Sequence, residues 1–251
     1  MRITLATIFQ RKSWVVCAFL VLIFPFALPL ISSATEKPLL VQPARVQAAW
    51  SMLWLCGLVW GLFTAAHEGE HNARSGLGEY FLTTGISRIR QLGQIWLAVM
   101  AFIAPLTLAA ALVCQFGARP ANPVEQAWWW QINLQYAILY LLVIAPLLML
   151  AIALASRYGS TCGFALSLLL ALYGLYGVAY LDNMLRVEEN PLLQAVLWTS
   201  PQYRFADLTQ RMYYKNGALS ADTFKLLFAY FCGLGAVLFS LSGVCFKSRA
   251  S

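Results

Sequence analysis

The chain has 251 residues, a formal net charge of +7, 61% hydrophobic residues and only 11% charged ones. An ordinary soluble domain carries roughly 25% charged residues. One soluble core cannot bury so much apolar surface, so the composition excludes a soluble enzyme or binding module and predicts a membrane protein.

At the amino terminus, Leu5, Ile8 and Phe9 share one helical face, with Arg2, Arg11 and Lys12 beside it. This pattern predicts a helix over 1–13 that lies in the membrane interface and does not cross it. Six apolar runs then follow, at 14–31, 46–66, 95–114, 134–155, 162–181 and 226–245. Each is close to the 20 or so residues that carry an α-helix across a ~30 Å hydrocarbon layer. None contains a Lys, Arg, Asp or Glu, so the predicted fold is all-α with six transmembrane helices in one domain, 1–251. The basic start, the first run and Ser32-Ser33-Ala34 also read as a secretory signal peptide with its cleavage site, which would leave the later runs in the same orientation. Pro25, Pro29, Pro105 and Pro146 fall within runs and predict kinks.

With both termini inside, the inner segments carry Arg2, Arg11, Lys12, Arg74, Arg88, Arg90, Arg157, Lys247 and Arg249, whereas the short outer loops carry Lys37, Arg45 and Arg119. Positive residues favour the cytoplasmic side, so the expected setting is a cell (inner) membrane with cytoplasmic termini and a cytoplasmic segment at 67–92. The positive charge then reflects topology and contact with anionic headgroups of the bilayer, and no basic cluster points to nucleic acid. Cys17, Cys56, Cys114, Cys162, Cys232 and Cys245 lie in or at the ends of runs without C-x-x-C spacing and read as small apolar fillers. Trp128, Trp129 and Trp130 suit an interfacial aromatic belt.

His67-Glu68-Gly69-Glu70-His71 completes the pattern H-E-x-x-H, in which two histidines one turn apart bind zinc and the glutamate poises a water. A catalytic zinc needs a third protein ligand. Arg74 and Leu77 stand where the extended motif places a glycine and a histidine. Most carboxylates fall on the outer side, leaving Glu70 and Glu79 close by in sequence. The metal reading on His67 and His71 therefore stays an alternative, a membrane-embedded zinc metalloprotease. The other reading is a polar cytoplasmic segment without metal.

Farther on, Gln131, Asn133 and Gln135 form the one dense polar group at membrane depth, suited to lining a path or to interfacial hydrogen bonding. Tyr173, Tyr176 and Tyr180 recur at helical spacing beside Gly174 and Gly177, a stripe for packing or for path lining. Segment 182–222 includes Leu192, Leu193, Val196, Leu197 and Trp198, and is expected to form short helices re-entering from the outer face. Absence of acidic residues from the runs argues against a proton- or sodium-driven carrier.

The stretch from Gly76 to Arg88, Gly-Leu-Gly-Glu-Tyr-Phe-Leu-Thr-Thr-Gly-Ile-Ser-Arg, resembles the cytoplasmic segment of type-2 ABC exporter permeases, which reads G-T-x-E, several apolar residues, then P-V-S-R. Gly76, Glu79, Ser87 and Arg88 match in register, with Leu82 in the apolar stretch and Ile86 for valine. Departures are Leu77 and Gly78, Gly85 for proline, and Gln94 where many members carry lysine. Ser200-Pro201-Gln202-Tyr203-Arg204-Phe205 is similar to the S-P-x-x-x-F element before the last span, as in the gliding-type and copper-maturation branch.

The resemblance implies an interfacial elbow helix over 1–13, a coupling segment at 67–92 and re-entrant outer helices at 182–222. It implies that Glu70, Gly76, Leu77, Glu79, Tyr80, Phe81, Ser87 and Arg88 contact an ABC ATPase subunit, and that Ser200, Pro201 and Phe205 belong to an outer gate. A phosphate-binding G-x-x-x-x-G-K-[ST] loop is missing from the chain. ATP and Mg would then be held by the partner ATPase, and a second permease copy would complete the exporter.

Overall fold

The structure is a computed structural model that describes residues 2–31, 38–187 and 190–248. Ser32-Ser33-Ala34, Glu36, Lys37, Glu188, Glu189 and Arg249 lie outside the described residues. Those described are helical or connecting, with no strand among them. Five helical stretches are long and apolar enough to cross a membrane: Leu40–Arg74, Arg88–Gly117, Pro123–Tyr158, Ser160–Leu185 and Ala221–Cys245. They suit a multi-pass membrane protein.

The first expected run does not form one long helix. It divides into α2 (Ser13–Leu22) and α3 (Phe24–Ile31), broken at Ile23. Pro25 supplies the reason, because it has no N–H to offer Val21 and its ring crowds that carbonyl. Before it, α1 (Arg2–Gln10) meets α2 at a 68° bend, and those two helices together are also apolar enough for one crossing. Lys12 turns the chain there with a left-handed backbone.

α4 (Pro38–Leu55) passes through a π-helical segment, Cys56–Gly61, into α5 (Leu62–Arg74). A short α6 (Leu77–Thr83) follows a turn at Gly76, whose φ of 77° is the left-handed region that glycine adopts at little cost. α7 (Arg88–Leu112) ends in a second π segment, Val113–Gly117. α8 (Pro123–Tyr158) starts eleven residues before the expected run at 134, because Asn122 caps it through Val124 N (3.0 Å) and Pro123 opens it. Its 36 residues span roughly 54 Å, so it outruns a ~30 Å layer. α9 (Ser160–Leu172), a third π segment (Tyr173–Gly177) and α10 (Val178–Leu185) form one continuous rod. α11 (Pro191–Thr199), a 3₁₀ turn (Tyr203–Ala206) and α12 (Thr209–Tyr213) lead to α13 (Ala221–Cys245).

α8 is the central post, packed against α5, α7, α9 and α13. Its buried face carries Tyr136 and Tyr140, one turn apart. Tyr136 stacks on Trp50 at 3.9 Å and Tyr140 meets Trp54 edge-on at 4.9 Å. Four aromatics from α4 and α8 thus form a seam whose packing adds to simple area burial. Toward the other end α5 and α8 come closest at Gly69, where a Cβ would lie 2.9 Å from Ile152 Cα and nearer still to its carbonyl oxygen. After α13 the chain folds back: Phe246 is buried, Lys247 N donates to Ser156 Oγ (3.0 Å), and the Ser248 carbonyl lies against Gly78. Backbone rather than a flexible side chain faces Gly69, so Gly69→Ala is expected to destabilise the fold by about 1–3 kcal/mol through overpacking. A lowered midpoint of thermal unfolding in detergent, compared with Gly93→Ala where space is open, measures this.

Candidate functional site

Polar contacts gather at the two ends of the bundle. At the α6 end, Glu68 is 3% exposed and its Oε1 lies 3.3 Å from Arg11 Nη2, which ties the end of α1 to α5. Asn72 Nδ2 donates to Gln91 Oε1 (3.1 Å), and Gln91 Nε2 donates to the carbonyls of Gly78 and Ile86 (both 3.1 Å). Gln91 therefore holds both ends of the α6 connection on the base of α7. A cavity of about 30 Å³ lies among α1, α5, α6 and α7, with Glu68, His71, Leu77 and Phe81 on its wall; it has room for a water molecule.

The residues of the expected coupling segment separate into two sets. Glu70 faces its own chain: Oε1 pairs with Arg74 (2.6 Å) and Oε2 accepts from Ser160 N (2.8 Å), capping α9 from outside that helix. Leu77 and Phe81 are half-buried, and Ser87 caps α7 by accepting from Arg90 N (3.4 Å). The other set faces outward. Tyr80 is 62% and Ile89 72% exposed, with Glu79, Arg88 and Arg90 also on the surface. Gly76 makes the turn that delivers α6 to this position.

His67 and His71 lie parallel with ring centroids 6.5 Å apart, and His67 also stacks on Phe63 at 6.4 Å. Glu68 is directed to Arg11 instead. Among the described residues, no three His, Cys, Asp or Glu side chains are grouped to hold a metal ion. The donor set thus supplies two imidazoles, short of the three protein ligands that a catalytic zinc takes.

At the opposite end the expected path-lining group comes apart. Gln131 is exposed. Asn133 is buried and donates to Trp129 O (2.9 Å). Gln135 is buried and makes a two-point bond with the Leu219 backbone, donating to its carbonyl (3.0 Å) and accepting from its N–H (2.9 Å). Asn133 and Gln135 thus both bond to backbone groups of the chain. The tyrosines divide too, because the π segment alters their spacing around the rod. Tyr173 turns inward to Ser200, hydroxyl to hydroxyl at 2.7 Å, while Tyr176 and Tyr180 stay exposed.

Two sequence features that lie far apart in the chain meet here. A Cβ at Gly174 would fall 2.8 Å from the Pro201 carbonyl and on the Tyr203 ring, so only glycine lets the Ser200–Pro201 turn seat against the rod. Tyr203 is buried and stacks on Phe231 at 6.5 Å, and its burial pushes the hydroxyl above the usual phenol range. Phe205 stays 46% exposed under the Arg204 guanidinium (4.9 Å), and Arg204 pairs with Asp182 at 3.1 Å.

Sequence reasoning missed the strongest tie at this end. Tyr136 on α8 donates to Asp207, Trp54 Nε1 donates to the Tyr136 oxygen (3.0 Å), and Thr209 Oγ1 lies 2.6 Å from it. Asp207 also accepts from Thr209 N (2.9 Å). The aromatic pairs Trp50/Trp54 and Tyr136/Tyr140, each at one-turn spacing, were the available signal of a seam between their helices. Comparison with protein-family models, curated proteins and solved structures returned no match.

Tyr136→Phe keeps the ring but removes the bond to the Asp207 carboxylate, which is expected to cost about 1.5–3 kcal/mol. Earlier unfolding on heating, with faster proteolysis at residues 207–215, is the readout. Zinc analysis of the purified full chain is expected to find substoichiometric metal, unchanged by His67→Ala; bound zinc lost in that variant would restore the metal reading.

Proposed function

We propose that this chain is the membrane-spanning permease subunit of an ATP-driven exporter of the type-2 ABC class, set in a cell (inner) membrane with both termini cytoplasmic. It works as a pair of permease copies, identical or related, with ATPase subunits that hold ATP and Mg. Its role is transport without a catalytic centre of its own. The single observation that carries the reading is the exposure of the α6 connection, where Tyr80 stands in the open and Ile89, also exposed, follows Arg88 and precedes Arg90 in sequence. An exposed aromatic side chain and an exposed aliphatic one with arginines on either side in sequence suit a protein partner, since aromatic residues and Arg dominate binding hot spots.

Architecture adds support. Five apolar helices, counted together with the bent pair of α1 and α2 as a sixth crossing, would match the number of spans in that family. Gly76, Ser87 and Arg88 sit at the turn into α6 and the start of α7, where a coupling helix would end. In an exporter driven by ATP, a chain whose sequence carries no phosphate-binding loop works with a separate ATPase subunit. On the far side, Ser200, Pro201 and Phe205 of the outer segment 182–222 are assigned to the outer gate.

Purification of the full chain from its native membrane should bring down an ABC ATPase subunit, and the permease should stimulate its ATP hydrolysis. Failure to associate with any ATPase would sink the proposal. The double variant Tyr80→Ala/Ile89→Asp is expected to weaken that association by about 30-fold, the ~2 kcal/mol of a hot spot, while leaving insertion in the membrane and thermal stability unchanged.

A further inference from the structure

The rod Ser160–Leu185 is loosely held along its length and firmly held at its two ends. Only 28% of its most apolar stretch is buried inside the fold, against 67% for Leu40–Arg74 and 61% for α8. Its first half packs on α5 and α8. Its start is fixed by a side chain from another helix, since the Glu70 carboxylate accepts from Ser160 N at 2.8 Å while paired with Arg74. An anion at a helix start is favoured by the free N–H groups and the helix dipole.

The second half leaves α5 and α8 and touches the outer segment instead. Tyr173 meets Ser200 at 2.7 Å, Gly174 admits Pro201 and Tyr203, and Asp182 pairs with Arg204 at 3.1 Å. Between the anchors lies the π segment Tyr173–Gly177, a place where a helix can change register locally.

We infer that Glu70 is a positioning residue which, through the Ser160–Leu185 rod, couples the α6 end of the bundle to the Ser200–Ala206 turn at the opposite end. Displacement of α5 moves the cap, the cap moves the start of the rod, and the rod alters how Ser200 and Tyr203 seat on Gly174. Glu70 thereby has a role inside this chain, different from the partner contact that its sequence position implies. The purpose of the coupling, opening the outer segment when α6 is engaged, rests on the transport reading. The coupling itself is measurable without any ATPase, so the two can fail separately.

The test is amide hydrogen exchange of the full chain in lipid nanodiscs. Glu70→Gln is expected to raise exchange at Ser160–Gly163 and also at Ser200–Ala206, the latter by about fivefold or more, the lower bound for coupled sites. Arg74→Ala keeps the cap and should leave Ser200–Ala206 within about twofold of the parent, below that bound. Tyr173→Phe tests the reverse direction: it removes only the hydroxyl contact with Ser200, and reciprocity requires faster exchange at Ser160–Gly163. It also carries the test should Glu70→Gln fail to insert. Changes that stay at the mutated end in both variants, or that spread equally to the core of α4 around Trp50, overturn the inference.

Discussion

Burial of polar groups in apolar surroundings without partners is costly, and helices settle only their backbones. This constraint explains where the contacts of the molecule lie. Along the middle of α8 the buried side chains are aliphatic, as at Val143, Ile144, Leu147 and Leu148. Charged partners are kept to the ends: Arg11 with Glu68 and Arg74 with Glu70 at one, Lys215 with Glu125 and Arg204 with Asp182 at the other. α8 links both ends because it is long enough to carry the Tyr136 hydroxyl to Asp207 and the Ser156 hydroxyl to Lys247.

The three π segments fit the same logic. Among the described residues, two of them interrupt a long apolar helix and one ends it, and each includes or ends on glycine: Gly57 and Gly61, Gly117, and Gly174 and Gly177. A wider turn leaves carbonyls imperfectly matched, and these become acceptors for other elements. Arg45 reaches the Gly117 carbonyl at 3.1 Å and Trp129 the Cys114 carbonyl at 3.0 Å, both in the second segment. Such bulges are frequent at functional positions because they let one face of a helix rotate relative to the rest. In the third segment, that rotation sends Tyr173 inward and leaves Tyr176 outside.

Much of the fold was legible in the sequence because membrane helices announce themselves by length and apolarity alone. Positions 46–66, 95–114, 162–181 and 226–245 all fall inside long helices. The division of 14–31 at Ile23 was foreshadowed by Pro25, yet a proline tells of a kink and not of how far it opens. The site was less legible. Gln135 looked like a path residue because its partner, the Leu219 backbone, is 84 positions away, and no local pattern points to it. Glu70 likewise looked free for a partner protein, since its capping role depends on a fold that places the start of α9 beside α5. The two motif stretches, Gly76 to Arg88 and Ser200 to Phe205, lie at opposite ends of the bundle.

The return of the chain after α13 has a practical side. Lys247 is fixed to Ser156, and Ser248 is buried against Gly78, so residues 246–248 pass directly under α6. A change in how α13 ends is therefore felt at α6. A bulky label attached at Ser248 itself would press on Gly78 and disturb the seat of α6. The amino-terminal side offers no such relief, because Arg11 and Ile8 bind α1 into the same corner. An epitope in the exposed Tyr214–Gly217 turn at the other end leaves the corner undisturbed.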